Sequence, residues 1–465
     1  MAGNATRPIC HKHTVLLAVL SLSGCTHSAI KPETSDPVLP STWVRQADQG
    51  TVELNWLKAF SNPQLTALVT EAVNNNYLLE RERARLAQAE QAVVVARADR
   101  FPELDLSLSG SRRGIEGSDG TRISSNSFSA TLDAGWEVDL WGRLNKQQQS
   151  VQLAMAAQQA RLQLAERELA ASTASALFRV MEAQQLLEVA ERRLANAIQA
   201  HDIVASGYRQ GLNDALDLYL ARNQVERQEA SVAERTQTVS ESIADLQLAL
   251  ARYPDGRMQI AGTLPIMNQP IPAGLPSELV TRRADIQEAW LNLLAADAEL
   301  AAAHKSRFPR LTLVGSGGAT TLEFADLLDG NGTTWTVLGG LSQPLFTAGR
   351  LAALEEQAAQ RVRQAEQEYL SLVFNAFADV ENAVSRSAAL QTRYASFIDA
   401  EKNASAALEL ALEQYQRGLV AYTTVLESQR QAFDAEATVV ELQNLLLQNR
   451  IALYLALGGE FSTDY

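Results

Sequence analysis

The stretch Tyr208-Arg209-Gln210-Gly211-Leu212 decides the architecture of this chain, because it recurs with little change as Tyr415-Gln416-Arg417-Gly418-Leu419. The two stretches lie 418 − 211 = 207 residues apart, and Phe101-Pro102 recurs as Phe308-Pro309 at the same spacing. A constant spacing over so long a span indicates an internal duplication with no net insertion between these landmarks. The function must therefore use two copies of one structural unit.

Long runs without glycine or proline flank the two tip glycines. Residues 143–206 and 350–417 precede them, and residues 212–253 and 419–457 follow. These runs are rich in Ala, Leu, Gln, Glu and Arg, which favours helix. The two longer runs would span roughly 100 Å at about 1.5 Å per residue. Each copy is therefore predicted to contain one very long helical hairpin, with closely packed helices.

Alternating apolar and polar residues precede each long helical run. The alternation covers residues 104–109 and 127–140 in the first copy, and residues 311–317 and 334–342 in the second. One face is apolar and the other carries mainly Ser, Thr, Asp and Glu, which is typical of a strand between lipid and water. A soluble hairpin would also alternate, but the recurrence at the repeat spacing favours membrane strands.

The segments between the elements complete the domain organisation. Segments rich in Gly, Ser and Asp, residues 110–126 and 318–333, are predicted to join the two strands of each pair. The predicted divisions are a lipoprotein signal peptide (1–24), a lipidated extended segment (25–62), a first repeat (63–253), a linker rich in Pro and Gly (254–276), a second repeat (277–458) and a C-terminal tail (459–465).

The N-terminus resembles a bacterial lipoprotein signal. Arg7 and Lys12 precede a short apolar core, and small residues then lead to Cys25. In such signals the cysteine becomes the lipidated N-terminus after cleavage, and Thr26, rather than an aspartate, favours delivery to the outer membrane. An ordinary secretory signal with a chance cysteine is the alternative.

Charge and hydropathy exclude other classes of protein. Without the signal, the net charge is (40 − 2) − 54 = −16, which argues against nucleic acid as a partner. No later stretch contains 18 consecutive apolar residues, so any membrane crossing is expected to use strands. Four strands cannot close a barrel, and the smallest bacterial barrels have eight. The chains must therefore associate, and twelve strands from three chains suit a duct better than eight from two.

Several motifs resemble the TolC-type outer-membrane factors, in the lipoprotein branch that serves resistance-nodulation-division efflux pumps. The most specific runs from Leu275-Pro276-Ser277 to Arg282-Arg283-Ala284-Asp285-Ile286, with Ala284 where the family usually has proline. Trp56-Leu57-Lys58-Ala59-Phe60 and Asp139-Leu140-Trp141-Gly142-Arg143 also match. The resemblance covers nearly the whole mature chain.

This resemblance implies a mainly α fold with membrane β-structure. Long helical hairpins would form a periplasmic α-barrel, and four strands per protomer would contribute to a trimeric twelve-stranded outer-membrane β-barrel. The implied partners are two further copies of the chain, a periplasmic adaptor protein, an inner-membrane pump of the resistance-nodulation-division type and outer-membrane lipid. The implied function is the passive exit duct of a tripartite efflux pump for drugs and other toxic small molecules.

The hairpin tips are the predicted functional sites. Gly211-Leu212 and Gly418-Leu419 resemble the family's tip motif, which meets the adaptor. Just beyond the tips, Asp217 and Glu427 match family positions that place carboxylates at the constriction, and Asp214 is a further gate candidate. Three-fold symmetry would turn each acid into a ring that favours cations.

Two features of the tips leave alternatives open. An acid in the first turn of a helix would also simply complement the helix dipole. Val420 stands where the family's best-known member has an arginine that ties the closed state together, which leaves the closed-state contact of this chain open.

No catalytic or cofactor-binding pattern is present in the sequence. After signal removal, His27, His201 and His304 are the remaining histidines and are widely separated, and we expect neither an enzyme nor a cofactor nor a bound metal. The alternative functions are an exit duct for type I protein secretion and a non-porous, lipid-anchored coiled-coil structural protein. The lipoprotein signal and the Arg282-Arg283 segment favour the efflux pump over secretion.

Overall fold

The computed structural model describes Trp43 and residues 55–116, 118, 120, 122–212, 214–267, 276–329, 332–459 and 461. Ten helices lie in these ranges: α1 (Trp56–Ala59), α2 (Pro63–Asn75), α3 (Tyr77–Ala98), α4 (Arg143–Arg209), α5 (Ala215–Ala249), α6 (Pro276–Arg282), α7 (Ala284–Lys305), α8 (Phe324–Leu328), α9 (Arg350–Gln416) and α10 (Tyr422–Ala456). The four described strands are β1 (Glu103–Glu116), β2 (Arg122–Val138), β3 (Arg310–Thr321) and β4 (Thr333–Ser342).

The duplication predicted from the sequence is confirmed by the helix bounds. Helix α9 begins 350 − 143 = 207 residues after α4, and both helices contain 67 residues. Helices α5 and α10 contain 35 residues each and are separated by the same spacing. The repeat is therefore preserved at both ends of the long helices.

Hydrogen bonds at the junction between helix and strand repeat with the same spacing. The indole nitrogen of Trp136 donates to the carbonyl of Arg100 at 3.0 Å. In the second copy, the amide of Gln343 donates to the carbonyl of Arg307 at the same distance. Trp136 and Gln343 occupy equivalent positions and make the same contact, although their side chains differ. The backbone geometry of the junction is therefore the same in both copies.

The strands form one antiparallel sheet in the order β1-β2-β3-β4. The registers pair Leu106 with Leu132, Leu132 with Gly317, and Gly317 with Trp335, so that these residues lie on one face. On the other face Asp105 pairs with Asp133, and Asp133 with Ser316. The predicted separation of an apolar face from a polar face is confirmed across all four strands.

The strands are longer than the alternation predicted, and the predicted joining segments are correspondingly too long. Strand β1 continues to Glu116 and β2 begins at Arg122, within the segment assigned to residues 110–126. Strand β3 continues to Thr321, and the helix α8 occupies part of the segment 318–333. Backbone hydrogen bonds hold a ladder together whatever the side chains, so pairing continues where the alternation of apolar residues stops.

Aromatic residues fill the core where the first helix meets the middle of α4 and the end of α10. Trp56 stacks on Tyr454 with ring centroids 5.9 Å apart, and Phe60 packs at 5.2 Å against Phe178. Trp56 and Phe178 are fully buried. The Trp56-to-Phe60 motif therefore anchors the N-terminal helix to α4 and α10.

The Arg282-to-Ile286 motif fixes the start of α7. The Arg283 guanidinium donates to Asp285 at 2.8 Å and to Asp379 of α9 at 3.1 Å, and it reaches the carbonyl of Ala456 at 3.3 Å. Ala284 is the first residue of α7, the position at which proline is favoured because its missing N–H has no helical partner. Alanine can stand where the family usually has proline, because the N–H that alanine adds at this position is not needed for the hydrogen bonds of the helix.

Within the described residues, no helix combines the length and the apolar character needed to span a membrane.

Candidate functional site

Both long hairpins end in the same turn. The Gly211 N–H donates to the carbonyl of Tyr208 at 3.0 Å, and the Leu212 N–H donates to the carbonyl of Gly207 at 2.9 Å. Gly211 has φ +77°, which is the left-handed conformation that a residue with a Cβ rarely adopts. These are the two hydrogen bonds and the left-handed residue of a Schellman motif, which ends α4.

The second tip repeats this geometry. The Gly418 N–H donates to the carbonyl of Tyr415 and the Leu419 N–H to that of Gln414, both at 2.9 Å, and Gly418 has φ +71°. A Cβ built on either tip glycine would meet no atom within 4 Å. The backbone conformation of the turn thus favours glycine, and the described chain leaves the space beside it open.

Two apolar side chains project at the tips. Leu212 is 76% exposed and Leu419 is 69% exposed. Each follows the left-handed glycine directly, so the tip of each hairpin presents a leucine beside an open patch of backbone. A leucine beside open backbone suits contact with another apolar surface better than contact with water.

The acids of the first tip sit at the beginning of α5. Asp214 is the N-cap, and its carboxylate accepts a hydrogen bond of 2.9 Å from the Asp217 N–H. Burial raises the pKa of the Asp217 carboxyl above its ordinary value, and the neighbouring Asp214 carboxylate raises it further. Asp214 therefore has a capping role in the helix, and the gate role of both acids remains a prediction.

A tyrosine pair, with one ring buried and the other partly buried, lies beside Asp217 and was missed in the sequence analysis. Tyr415 and Tyr422 pack with ring centroids 5.5 Å apart. Tyr422 is 1% exposed, and its hydroxyl has no hydrogen-bond partner among the described residues. Burial, together with the nearby Tyr415 and Asp217, raises the pKa of Tyr422 to about 12. The signal that could have found this pair is an aromatic residue on each side of the tip in sequences otherwise rich in Ala and Gln.

The tip tyrosines belong to a small core that joins the two hairpins. Its buried members come from all four long helices: Ala200 and Val204 of α4, Ala221 of α5, Ala411 of α9, and Tyr422 and Val425 of α10. The small alanine side chains let the four helices approach closely. The tips of the two copies are thus packed together within one protomer.

Glu427 is exposed on α10 and is held by neighbours on the same helix. Arg430 donates to both of its carboxylate oxygens, at 2.6 and 3.0 Å, and Gln431 donates at 2.8 Å. These hydrogen bonds, that of Arg430 first, lower the pKa of Glu427 to about 2. The negative charge of Glu427 is therefore permanent at physiological pH and is accompanied by a positive charge three residues away.

Arg430 begins a chain of charges that crosses between the copies. It lies 3.4 Å from Asp434, and Asp434 accepts a hydrogen bond of 2.8 Å from Arg193 of α4. The Arg193 guanidinium also lies over the ring of Phe433 at 5.1 Å. These residues line a groove of about 490 Å³ between the hairpins. The contact of Arg193 with Asp434 is a tertiary one, which sequence spacing alone could not predict.

The arginines near Val420 bear on the closed-state contact that the sequence leaves open. Arg417 is the nearest in sequence, and its guanidinium pairs with Glu413 on the preceding helical turn. Cys25 lies outside the described residues. Among the residues that the structure describes, no three His, Cys, Asp or Glu side chains converge in a way that could hold a metal ion.

Comparison with known proteins gives the family to which this fold belongs. The family model described as "Outer membrane efflux protein" matches residues 68–252 and 275–459. The chain belongs to this family.

Named relatives cover nearly the full length. The chain is 32% identical to the pyoverdine export outer membrane protein OpmQ of Pseudomonas putida, over 97% of this chain and 98% of that protein. It is 27% identical to the probable outer membrane lipoprotein SilC of Salmonella typhimurium, over 95% and 97% of the two chains. A solved structure of the outer-membrane channel OprN is similar with a TM-score of 0.83 and 25% identity, over 90% of this chain and 97% of that chain. The predicted location in the outer membrane and the predicted role in efflux are thereby confirmed.

Proposed function

We propose that three copies of this chain assemble into the passive exit duct of a tripartite efflux pump. The observation that carries the proposal is the four-stranded sheet, which is apolar on one face and has β1 and β4 as its two edge strands. A sheet edge in lipid leaves backbone groups without partners, which costs several kcal/mol per group. Pairing β4 of each protomer with β1 of the next satisfies both edges and gives twelve strands.

The helical hairpins would continue the duct into the periplasm. Helices of 67 residues reach about 100 Å, at about 1.5 Å per residue, from the strands to the tips. The abundance of buried alanine on α4, as at Ala170 and Ala174, allows the close packing that a barrel of helices requires. Small molecules such as drugs would pass through this duct without chemical change.

The tips are the proposed contact with the periplasmic adaptor, which in turn links the duct to an inner-membrane pump of the resistance-nodulation-division type. Gly211 and Gly418 leave open space beside a left-handed turn, and Leu212 and Leu419 supply exposed apolar surface. A tip of this kind accepts a close backbone approach by a partner helix, which a Cβ would obstruct.

Asp217, Asp214 and Glu427 are the proposed charged residues of the gate. Three-fold symmetry would repeat each carboxylate around the axis, and such a ring of negative charges attracts cations. The pairing of Glu427 with Arg430 changes the expected strength of this effect. In a ring of Glu427 carboxylates, each negative charge would be accompanied by the positive charge of Arg430. The carboxylates of Asp217 and Asp214 would therefore contribute more uncompensated negative charge than Glu427.

Cys25 is the proposed lipid anchor of the mature chain, after removal of residues 1–24. One acyl chain gives only marginal membrane binding, whereas several hold a protein firmly. The domain divisions of this proposal are the lipidated segment 25–62, the first repeat 63–253, the linker 254–276, the second repeat 277–458 and the tail 459–465.

Export in cells tests the function. A strain that carries the matching adaptor and pump but lacks its outer-membrane channel would receive the wild-type gene, and accumulation of a fluorescent pump substrate would be measured. We expect the wild-type chain to restore low accumulation. If a correctly inserted trimer left accumulation as high as in the empty strain, the proposed exit-duct function would be wrong.

A further inference from the structure

The outward face of the sheet can be read from its register. Between Phe128 and Val138, the side chains of β2 that share one face are all apolar: Phe128, Ala130, Leu132, Ala134, Trp136 and Val138. The intervening residues include Ser129, Thr131, Asp133 and Glu137. In strands of outer-membrane channels, apolar side chains face lipid and polar side chains face the lumen. The face that includes Phe128 and Val138 is therefore the lipid-facing surface.

The apolar part of this face has the height of a bilayer core. Phe128 and Val138 are 138 − 128 = 10 residues apart on β2. At about 3.3 Å per residue this is about 33 Å along the strand, and a strand tilt of about 40° reduces it to a height of about 25 Å. That value equals the usual height of about 25 Å for the apolar band of such proteins.

An aromatic pair marks the outer end of the band. Phe128 meets Phe324 of α8 edge to face, with ring centroids 5.8 Å apart. Helix α3 precedes β1, and α4 follows β2, at the opposite end of the strands. The turn between β1 and β2 is therefore at the end distant from the long helices, where aromatic side chains mark the boundary with the outer leaflet's headgroups.

Arg112 occupies the first position beyond this boundary on the lipid-facing surface. Phe128 pairs with Gly110, and the next pair on the same face is Arg112 with Asn126. Arg112 is exposed and forms no ion pair with a residue that the structure describes. Arg122, two register positions further out on this face, instead lies 3.6 Å from the Glu116 carboxylate. An uncompensated guanidinium thus lies at the height of the lipid headgroups.

We propose that Arg112 binds the phosphate group of a phosphorylated lipid in the outer leaflet. A guanidinium offers parallel N–H donors that match two phosphate oxygens, and charge-assisted hydrogen bonds of this kind are stronger than neutral ones. Three protomers would present three such sites around the barrel. The inference rests on the proposed assembly only for the direction of the apolar face, and it concerns the lipid around the duct rather than the cargo within it.

The chain supplies a matched control in the next residue. Arg113 follows Arg112 on β1, so its side chain lies on the opposite face, and it pairs with Ser125. Both arginines are exposed and lie at the same height. Replacing either one changes the net charge equally, so an effect confined to Arg112 identifies the lipid-facing surface as its source.

The test uses the full-length processed protein, as wild type, Arg112→Gln and Arg113→Gln, purified in a non-ionic detergent. Each is titrated with bisphosphorylated lipid A, and bound lipid per protomer is counted by native mass spectrometry. A hydrogen bond to a charged group contributes about 1.5–3 kcal/mol, so we expect Arg112→Gln to weaken the apparent Kd by about tenfold or more. Arg113→Gln should bind as the wild type does, and dephosphorylated lipid should bind the wild type as weakly as the Arg112→Gln variant binds the phosphorylated form.

Three results would overturn the proposal. Equal lipid binding by wild type and Arg112→Gln would show that Arg112 makes no such contact. Equal weakening by Arg113→Gln would show a non-specific charge effect. Displacement of the lipid by an equimolar amount of inorganic phosphate would show a free-anion site rather than a lipid site. The same spectra report the oligomeric mass, so failure of trimer assembly is distinguished from failure of lipid binding.

Discussion

Asn444 of α10 donates a hydrogen bond of 2.7 Å to the Glu182 carboxylate of α4, which joins the two copies of the repeat far from the tips. Burial raises the pKa of Glu182 to about 7, with repulsion from Glu441 as the next cause, while Asn444, Arg179 and Arg235 act in the opposite direction. The carboxylate is therefore poised to change its charge at a contact between the hairpins.

Stability should depend on pH through Glu182. Because the folded-state pKa lies above the ordinary value of 4.5, the folded protein holds this proton more tightly than the unfolded chain does. The resulting stabilisation is fully present below about pH 4.5 and is lost as the pH rises to about 7. Glu182→Gln should flatten this part of the profile and raise Tm at pH 8 relative to wild type, as measured by thermal unfolding of the solubilised protein between pH 4 and 9.

A second variant separates the two causes of that pKa. Glu441→Gln removes the neighbouring carboxylate but leaves Glu182 buried and hydrogen-bonded, so the pH-dependent step should move towards lower pH and persist. A profile identical to wild type in both variants would show that Glu182 has an ordinary pKa.

Two substitutions at each tip glycine separate its role in the backbone conformation of the turn from its role in contact with the adaptor. Asn accepts the left-handed conformation better than other residues with a side chain, and a Cβ at Gly211 or Gly418 meets no atom of the described chain within 4 Å. Gly418→Asn should therefore keep the fold and the trimer but lose export, because its bulk meets the adaptor. Gly418→Val should lose export and also destabilise the turn by about 1–2 kcal/mol.

Export assays and native gels on the same membranes provide the readout. The equivalent variants at Gly211 should behave in the same way, because the two turns share their hydrogen bonds. Normal export by both Asn variants, with the matching adaptor and pump present, would show that the adaptor does not contact these tips.

Charge at the proposed gate should control ion selectivity, and the ion pair of Glu427 with Arg430 adds a second way to change it. Arg430→Gln leaves the Glu427 carboxylate without its positive partner, so cation selectivity should increase. Asp217→Ala with Glu427→Ala should decrease cation selectivity and weaken block by a trivalent cation. The measurement is the reversal potential of the reconstituted channel at low and high salt, since screening over a Debye length of about 10 Å at 0.1 M should reduce the differences. Unchanged reversal potentials at low salt would place these residues away from the lumen.

Lipid attachment should depend on Cys25. Mass spectrometry of the mature N-terminal peptide should show a diacylglyceryl thioether on Cys25, and Cys25→Ser should prevent it. Partial export by Cys25→Ser is expected because the strands insert independently of the anchor. An unmodified mature peptide that begins at another residue would contradict the lipoprotein prediction.

The features predicted well from sequence are those marked by local chemistry. Glycine and proline bound the helical runs, so the runs without these residues that begin at Arg143 and Arg350 coincide with the starts of α4 and α9. The outer ends of the strands were not, because Ser, Gly and Arg replace the apolar residues between Gly110 and Phe128 while backbone pairing continues.

The same division holds at the tips. The turns at Gly211 and Gly418 follow from glycine and spacing. Arg430 lies three residues from Glu427 and could have been recognised as its partner from helical periodicity. The contact of Arg193 with Asp434 spans 434 − 193 = 241 residues and depends on how the two hairpins pack, which periodicity within one helix does not encode.

Single-channel recording tests the central claim most directly. The purified, processed protein would be added to a planar lipid bilayer, and its mass in detergent would be measured in parallel. We predict a trimer that inserts and gives discrete, cation-selective conductance steps, because three four-stranded sheets close around one lumen. The duct would be contradicted by a protein that inserts as a trimer but gives no conductance at any applied voltage, even when no blocking trivalent cation is present. A stable monomer in the membrane would contradict the assembly on which the duct depends.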